Sequence, residues 1–156
     1  MAGQLAKEIR QNKPFASTEE EAFLNLARTF EVLQQRVSEA LKPYQLTPTQ
    51  YNVLRILRGA GPEGVTCSQA GERMVNHDPD MTRLLDRLEA RKLVERARSL
   101  EDRRVVITRI TKSGIDLVNS LDEPMNILHK RQAGHIGKEK LEQLIDTLEN
   151  LRSAPE

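Results

Sequence analysis

The sequence is poor in the residues that cross-link proteins, hold metal clusters or cross membranes. Of its 156 residues only Cys67 is a cysteine, so no disulfide can form within the chain and no cysteine cluster can hold a metal. No run approaches the roughly 18 apolar residues that span a bilayer, and the polar start lacks a signal-peptide core. We therefore expect a cytoplasmic protein with no membrane segment, no metal and no other cofactor.

The features of an enzyme are also scarce. The sequence has no glycine-rich phosphate loop and no histidine paired with an acid in a local motif. Three histidines are present, and two of them, His129 and His135, lie on either side of a predicted helix end, which makes them a poor pair for one metal ion. We expect His77, His129 and His135 to be surface residues and the protein not to be an enzyme.

The composition favours helices, and the distribution of charge indicates one segment that could bind a polyanion. Aromatic residues make up 3% and charged residues 30% of a chain whose length fits one domain. The net charge is only +1, but residues 82–112 contain ten Lys or Arg against five Asp or Glu. Because the rest of the chain is acidic, this basic segment indicates where a nucleic acid would bind.

The N-terminal part predicts a short leader followed by a long helix. Residues 1–16 are polar, and Leu5 and Ile9 allow at most one amphipathic turn. Ser17 and Glu20 have the spacing of a capping box, which satisfies free amides at a helix start. The helix that follows carries one apolar stripe, formed by Phe23, Leu26, Phe30, Leu33, Val37 and Leu41.

Three further helix starts follow. Two are capping boxes, Thr47 with Gln50 and Thr66 with Gln69. Gly59 and Gly61 are expected to end the first of these helices, and the second is expected to run to about Val75. Asp78 as N-cap predicts a further helix over 79–91. Two short helices separated by a tight turn are typical of a helix-turn-helix.

Extended runs over 93–98 and 104–110, joined by the polar tip 99–103, predict a hairpin, or wing. Thr111 can cap a fifth helix to about Ala133, and Gly134 and Gly137 separate it from a sixth. The stripe of that last helix is Leu141, Leu144, Ile145, Leu148 and Leu151. The predicted fold is mainly α with a small β-hairpin wing: a winged helix-turn-helix with a helical dimerisation lobe.

The helix over 79–91 and the wing contain the candidate DNA contacts. The helical repeat puts Met81, Leu84, Leu85 and Leu88 on the inner face. The outer positions are Pro79, Thr82, Arg83 and Arg87, together with Asp86, which Arg83 or Arg87 would neutralise. The wing contributes Arg96, Arg98, Arg103 and Arg104 for a narrow minor groove, and Asp102 could pair with one of these arginines. A solvated, charged turn is the alternative interpretation of the wing.

These segments resemble the MarR family of bacterial and archaeal regulators over 17–151. The most specific matches are residues 78–88, 93–96, 101–104 and 110–114. The resemblance implies that Arg104 enters the minor groove, that Asp102 steadies it, and that Thr82 and Arg83 contact DNA. Ser68 and Gln69 would then be phosphate neighbours.

Two departures from the family pattern stand out. Lys92 occupies a position where many relatives have glycine, so we expect backbone strain there. Residues 78–80, Asp-Pro-Asp, replace a more usual run of small hydroxyl residues.

The resemblance also implies a homodimer. Its DNA-binding lobe would be about 47–110 and its dimerisation helices about 17–42 and 111–152, within one domain over 17–156. Such a dimer would bind a pseudo-palindromic operator with half-sites about 10 to 10.5 base pairs apart. The predicted function is a transcriptional regulator of double-stranded DNA, a repressor, that a small aromatic effector could release.

Other interpretations remain beside this one. A monomer could fold its apolar helices onto itself, and a winged-helix adaptor could bind protein without DNA. Tyr44 and Tyr51 lie near the expected effector site, although aromatics at helical spacing are more often core residues. Cys67 is a weak candidate redox sensor because it lies in the third predicted helix, whereas the family's thiol sensors carry their cysteine near the start of the first.

Overall fold

The computed structural model describes residues 3–153, and it is mainly helical with one small antiparallel sheet. The helices are α1 (Gln4–Glu8), α2 (Thr18–Leu41), α3 (Pro48–Ala60), α4 (Cys67–Glu72), α5 (Met81–Ala90), α6 (Lys112–Ala133) and α7 (Lys138–Arg152). The strands are β1 (Val65–Thr66), β2 (Val94–Arg98) and β3 (Val106–Ile110). This confirms the predicted fold class. No helix within residues 3–153 combines the length and the apolar character that a bilayer crossing needs.

The chain divides into two units between Ala40 and Leu41. In the first unit the leader forms α1, whose Leu5 is buried, which agrees with the single amphipathic turn expected there. The Ser17 hydroxyl accepts a hydrogen bond from the Glu20 amide at 3.1 Å, and the Glu20 carboxylate accepts one from the Ala16 amide at 2.6 Å. These two bonds satisfy free amides at the start of α2.

The second unit begins its helices as the capping patterns predict. Thr47 and Gln50 bond reciprocally at 3.1 and 3.0 Å, and the Thr66 and Gln69 pair repeats the arrangement. The core of this unit consists mainly of aliphatic side chains, which can be buried without leaving a polar group unsatisfied. Its fully buried members include Leu41, Leu54, Leu57, Leu85, Leu88, Val94, Val118 and Leu121.

The sheet has a third strand that was not predicted. The short β1 pairs with β3, with Val65 opposite Thr108, and β3 also pairs with β2, with Val94 opposite Ile110. Gly64 permits this approach: its φ is +69°, and a Cβ at this position would lie 2.5 Å from the Thr108 carbonyl oxygen. The wing is therefore the larger part of a three-stranded sheet.

Several predicted boundaries were wrong by a few residues. The helix expected to reach Val75 ends at Glu72, and Gly59 lies inside α3, which Gly61 caps. The strands begin at Val94 and Val106, later than the expected residues 93 and 104.

The start of α5 also differs from the prediction. Its N-cap is Asp80, whose carboxylate accepts from the Arg83 amide at 3.2 Å, so the helix begins at Met81. Asp78, the expected cap, instead accepts from the Asp80 amide at 2.8 Å. This short turn leaves Pro79 before the helix.

The strain expected at Lys92 is present. Its φ is +57°, in the left-handed region that glycine adopts at low cost. Its amide donates to the Glu89 carbonyl at 2.8 Å, and the Leu93 amide donates to the Leu88 carbonyl at 3.0 Å. Lys92 therefore reverses the chain from α5 into β2, as the sequence predicts.

Candidate nucleic-acid interface

Helix α5 presents two chemically different faces. Met81, Leu84, Leu85 and Leu88 are buried, as the helical repeat predicts. The opposite side is exposed and consists of Thr82, Arg83, Asp86 and Arg87, with the exposed Pro79 just before the helix. The buried side fixes α5 in the second unit, because each such side chain gains roughly 1.5–3 kcal/mol on leaving water. The exposed side faces solvent and is accessible to a binding partner.

The loop that precedes α5 is held by a residue that the sequence analysis missed. The Asn52 side-chain oxygen, on α3, accepts a hydrogen bond from the Val75 amide at 3.0 Å. This bond joins positions 23 residues apart, and no local pattern identifies an asparagine inside a helix as such an anchor. Asn52 therefore helps to set where the chain enters α5.

Ser68 and Gln69 lie on the first turn of α4 and are exposed. The Gln69 side-chain oxygen accepts from the Thr66 amide at 3.0 Å, which fixes the side chain across the helix start. Its Nε2 group is the part of Gln69 that could donate to a phosphate.

The wing tip is a turn closed by backbone bonds. The Ser99 amide donates to the Val105 carbonyl at 2.8 Å, and the Val105 amide donates to the Asp102 carbonyl at 3.0 Å. The Asp102 carboxylate accepts from the Arg104 amide at 2.9 Å. The expectation that Asp102 pairs with a wing guanidinium was wrong, because the amide two residues on lies within easier reach. Asp102 therefore supports the turn that carries Arg104 by binding the Arg104 backbone amide and not its guanidinium.

The wing arginines fall into three groups. Arg98 donates from Nη1 to the Arg103 carbonyl at 3.1 Å, which braces the hairpin. Arg103 and Arg104 are exposed, and within residues 3–153 neither guanidinium forms an ion pair or a hydrogen bond. Arg96 is half-buried and belongs to a different arrangement.

Arg96 bonds to two carboxylates of α5. Its Nη2 lies 2.5 Å from Asp86 Oδ1 and 2.6 Å from Glu89 Oε2. Sequence analysis considered Arg83 or Arg87 as arginines that could neutralise Asp86, whereas in the structure its partner is Arg96, from β2. The predicted direct DNA contact of Arg96 would require a guanidinium that these carboxylates already occupy.

The electrostatics of this cluster follow from the contacts. Hydrogen bonding from the Arg96 side chain holds the pKa of the Glu89 carboxyl below its ordinary value, and the same bond raises the pKa of Arg96. With Asp86 and Glu89 paired to Arg96, the remaining arginines, Arg83 and Arg87 on α5, are not needed to neutralise them.

The two tyrosines and the cysteine that the sequence suggests for ligand or redox sensing are buried or half-buried. Tyr51 is buried, burial raises its pKa, and the Arg55 guanidinium lies 5.8 Å from its ring centroid; Tyr44 is half-buried. Cys67 is a free, half-buried thiol. Among residues 3–153 no group of three His, Cys, Asp or Glu residues could hold a metal ion.

The succession α3, α4, α5, β2, β3 defines a winged helix-turn-helix. A family model described as the MarR family matches residues 44–105. A MarR transcription factor from Planctomyces limnophilus, of known crystal structure, is 41% identical, with 86% of this chain and 98% of that chain covered and a TM-score of 0.68. The chain therefore belongs to the MarR family of transcriptional regulators.

More distant relatives agree with this assignment. The HTH-type transcriptional regulator MhqR of Bacillus subtilis is 27% identical over 118 residues, which cover 70% of this chain and 80% of that protein. CouR from Rhodococcus jostii, whose crystal structure is bound to p-coumaroyl-CoA, is 26% identical. The match covers 91% of this chain and 99% of that chain, with a TM-score of 0.74.

Proposed function

We propose that the protein is a sequence-specific repressor that binds a pseudo-palindromic operator as a homodimer. The observation that carries the proposal is the arrangement of α5 and the wing. Helix α5 exposes Thr82, Arg83 and Arg87, and the hairpin that follows it exposes the unpaired Arg103 and Arg104. This arrangement suits a recognition helix in the major groove and arginines in the adjacent minor groove. Regulation by binding needs no catalytic step, and an operator target implies a cytoplasmic location.

The proposed DNA contacts differ in the part of the duplex that each residue would meet. Thr82 and Arg83, on the first turn of α5, would meet base edges or phosphates, with Pro79 beside them. Arg87, one turn further on, would bind a phosphate. Ser68 and Gln69 would contact the sugar-phosphate backbone of the DNA. Arg98 and Asp102 would shape the wing tip that presents Arg104.

The homodimer is supported by the apolar side chains that remain exposed. Phe23 and Phe30 on α2 are 67% and 48% exposed, and Ile145 and Leu151 on α7 are 54% and 62% exposed. Stripes of this kind mark association surfaces, because burying them against a second copy removes apolar area from water. Helices within 17–42 and 111–152 would form this lobe, apart from the DNA-binding lobe over 47–110.

A small effector would regulate the repressor. CouR was crystallised with an aromatic thioester ligand, p-coumaroyl-CoA. By analogy, a small aromatic ligand of this protein would favour a dimer whose recognition helices no longer match the operator spacing.

The test begins with selection of bound sequences from a random duplex pool, by the purified protein, at two salt concentrations. A recovered pseudo-palindrome is the expected result, and its affinity should fall steeply with salt as counterions are released. No enrichment at either salt concentration would contradict DNA binding and favour a winged-helix adaptor for protein partners.

Arg104→Ala removes one arginine from each half-site of the proposed dimer, so it is expected to weaken binding of the selected duplex by about 10-fold or more and to lower the salt slope by about two, with the dimer intact. Lys140→Ala is the matched control: it removes the same charge from an exposed position on α7. Equal affinity of the two variants would show that the wing assignment is wrong.

A further inference from the structure

We infer that Arg96 is a positioning residue which, through Glu89 and Asp86, fixes the wing to the recognition helix so that both enter the duplex as one rigid unit. The inference rests on the proposed DNA-binding function. It reassigns a residue that the sequence predicts to contact DNA directly.

The contacts that carry the inference involve three separate hydrogen bonds to Glu89. The Arg96 backbone amide donates to Glu89 Oε1 at 3.2 Å, and the Arg96 side chain donates to Glu89 Oε2 from Nε at 3.2 Å and from Nη2 at 2.6 Å. The carboxylate thus binds both the backbone and the side chain of one residue of β2. Charge-assisted bonds from two guanidinium nitrogens to one carboxylate oxygen, with the backbone amide on the other oxygen, set orientation as well as distance.

Asp86 extends the contact along α5. Arg96 Nη2 reaches Asp86 Oδ1, one turn before Glu89 on the same helix. One guanidinium therefore contacts two successive turns of the recognition helix. A single bond could act as a pivot, whereas contacts on two turns resist rotation of the hairpin about α5.

Burial separates Arg96 from the other wing arginines. Its side chain is 22% exposed, while Asp86 and Glu89 are 56% and 40% exposed. The exposed arginines of the tip have no such partners within residues 3–153. A guanidinium that is largely covered and already paired twice is suited to holding structure, since releasing it toward a phosphate would leave two carboxylates near a polyanion.

The consequence for recognition is geometric. The chain between α5 and β2 passes through the left-handed Lys92, and the wing tip lies at the far end of the hairpin. Without the Arg96 contacts, the spacing between the α5 surface and Arg104 would vary. Binding would then have to immobilise the wing, at a cost in affinity.

Replacing Glu89 distinguishes a positioning role of Arg96 from a purely electrostatic one, because the two predict opposite changes in DNA affinity. If only charge mattered, Glu89→Gln would tighten DNA binding, because it removes a carboxylate near the phosphates and releases Arg96. If Arg96 acts by positioning, Glu89→Gln should weaken binding by about tenfold (~1.4 kcal/mol). Glu95→Gln is the matched control, since Glu95 lies beside Arg96 on β2, is exposed and forms no ion pair within residues 3–153.

A conservative variant tests the role of the guanidinium fork. Arg96→Lys keeps the charge but loses the planar donor geometry, so we expect affinity to fall as it does in Glu89→Gln. Combining the two substitutions should add little, because both act through the same contact. Affinity equal to or tighter than that of the unchanged protein in Glu89→Gln would overturn the inference.

A second measurement needs no DNA, so that failure of the proposed function can be told apart from failure of this inference. In a Cys67→Ser background, spin labels at Ala90→Cys and Leu100→Cys, both exposed, report the distance between the end of α5 and the wing tip. The labelled protein is refolded with an excess of unlabelled Cys67→Ser protein, so that a dimer carries labels on one subunit only. We expect a narrow distance distribution that broadens on Glu89→Gln and not on Glu95→Gln. An unchanged distribution in Glu89→Gln would overturn the inference, whereas a protein that binds no duplex but shows this broadening would contradict only the proposed function.

Discussion

Helices α5 and α7 are both amphipathic, yet the subunit buries only one of them. Four of the ten residues of α5 are buried. In the described stretch Lys138–Arg152 of α7, by contrast, no residue is buried, and Leu144, Ile145 and Leu151 are exposed. Most helical stability in proteins comes from packing of the apolar face. Helix α5 is therefore stabilised by packing within the second unit, whereas the apolar stripe of α7 is left largely uncovered there.

The apolar stripe of α7 should be highly sensitive to a single charge. Ile145→Glu puts a charge in the apolar stripe, so we expect the proposed dimer to dissociate to monomers at micromolar concentration in light scattering, at a cost of about 2 kcal/mol or more. The winged-helix region should keep its structure. Gln143→Glu introduces the same group on the polar side of α7 and should leave the mass dimeric; dissociation of both variants would show that helix charge, not the stripe, is responsible.

A close contact at the start of α6 should make the winged-helix region sensitive to one added methyl group. Gly114 lies in the first turn of α6, and a Cβ there would lie 2.3 Å from the Leu93 carbonyl oxygen and 2.6 Å from Ile110 Cγ1. Gly114→Ala should therefore lower the free energy of unfolding by about 2–3 kcal/mol in chemical denaturation.

The same substitution elsewhere should have the opposite sign. Gly59 lies inside α3, and a Cβ there meets nothing within 4 Å. Gly59→Ala is expected to stabilise by about 0.5–1 kcal/mol, because alanine loses less backbone entropy in a helix. Equal destabilisation by both variants would contradict the assigned close contact at Gly114.

An ion pair links α3 to α6 and should make a small, pH-dependent contribution to stability. Arg58 binds Asp122 at 2.8 and 2.9 Å, and this bond holds the pKa of the Asp122 carboxyl below its ordinary value. A depressed folded pKa gives stability that is present above the ordinary carboxyl pKa, 3.8, and lost as pH falls through the folded value. Because Asp122 is about half exposed, we expect about 0.5–1 kcal/mol.

Asp122→Asn should remove that part of the pH dependence in unfolding experiments between neutral pH and pH values below the ordinary carboxyl pKa. Asp116→Asn, which breaks an exposed pair with Lys112 on the same helix, is the control and should change stability less. An unchanged pH profile in Asp122→Asn would show that the Arg58 bond does not stabilise the folded chain.

Local chemistry made much of this fold predictable. The capping boxes at Thr47 and Thr66 are formed within four residues, so sequence spacing alone identifies them. The strain at Lys92 was predicted differently, from the family resemblance, because many relatives have glycine at this position. The buried face of α5 follows from the helical repeat alone.

Contacts between distant segments were not predictable. Strand β1 has two residues and exists only because β3 lies beside it. One local choice was also missed: Asp78 and Asp80 can each cap a helix, and the turn between them places Asp80 at the cap. The pairing of Arg96 with Asp86 and Glu89 depends on how closely β2 approaches α5, which no spacing in the sequence encodes.

Helix α6 is joined firmly to the wing at its first turn. The Thr111 hydroxyl donates to the carbonyls of Lys92 and Leu93, and Gly114 lies against the latter. From that joint its 22 residues extend about 33 Å at 1.5 Å per residue. The helix is thus a lever: a tilt of about 6° at the joint displaces its far end by about 3.4 Å, the rise of one base pair. Because Val118, Leu121 and Met125 are buried along this helix, such a tilt would also move the core residues packed against them.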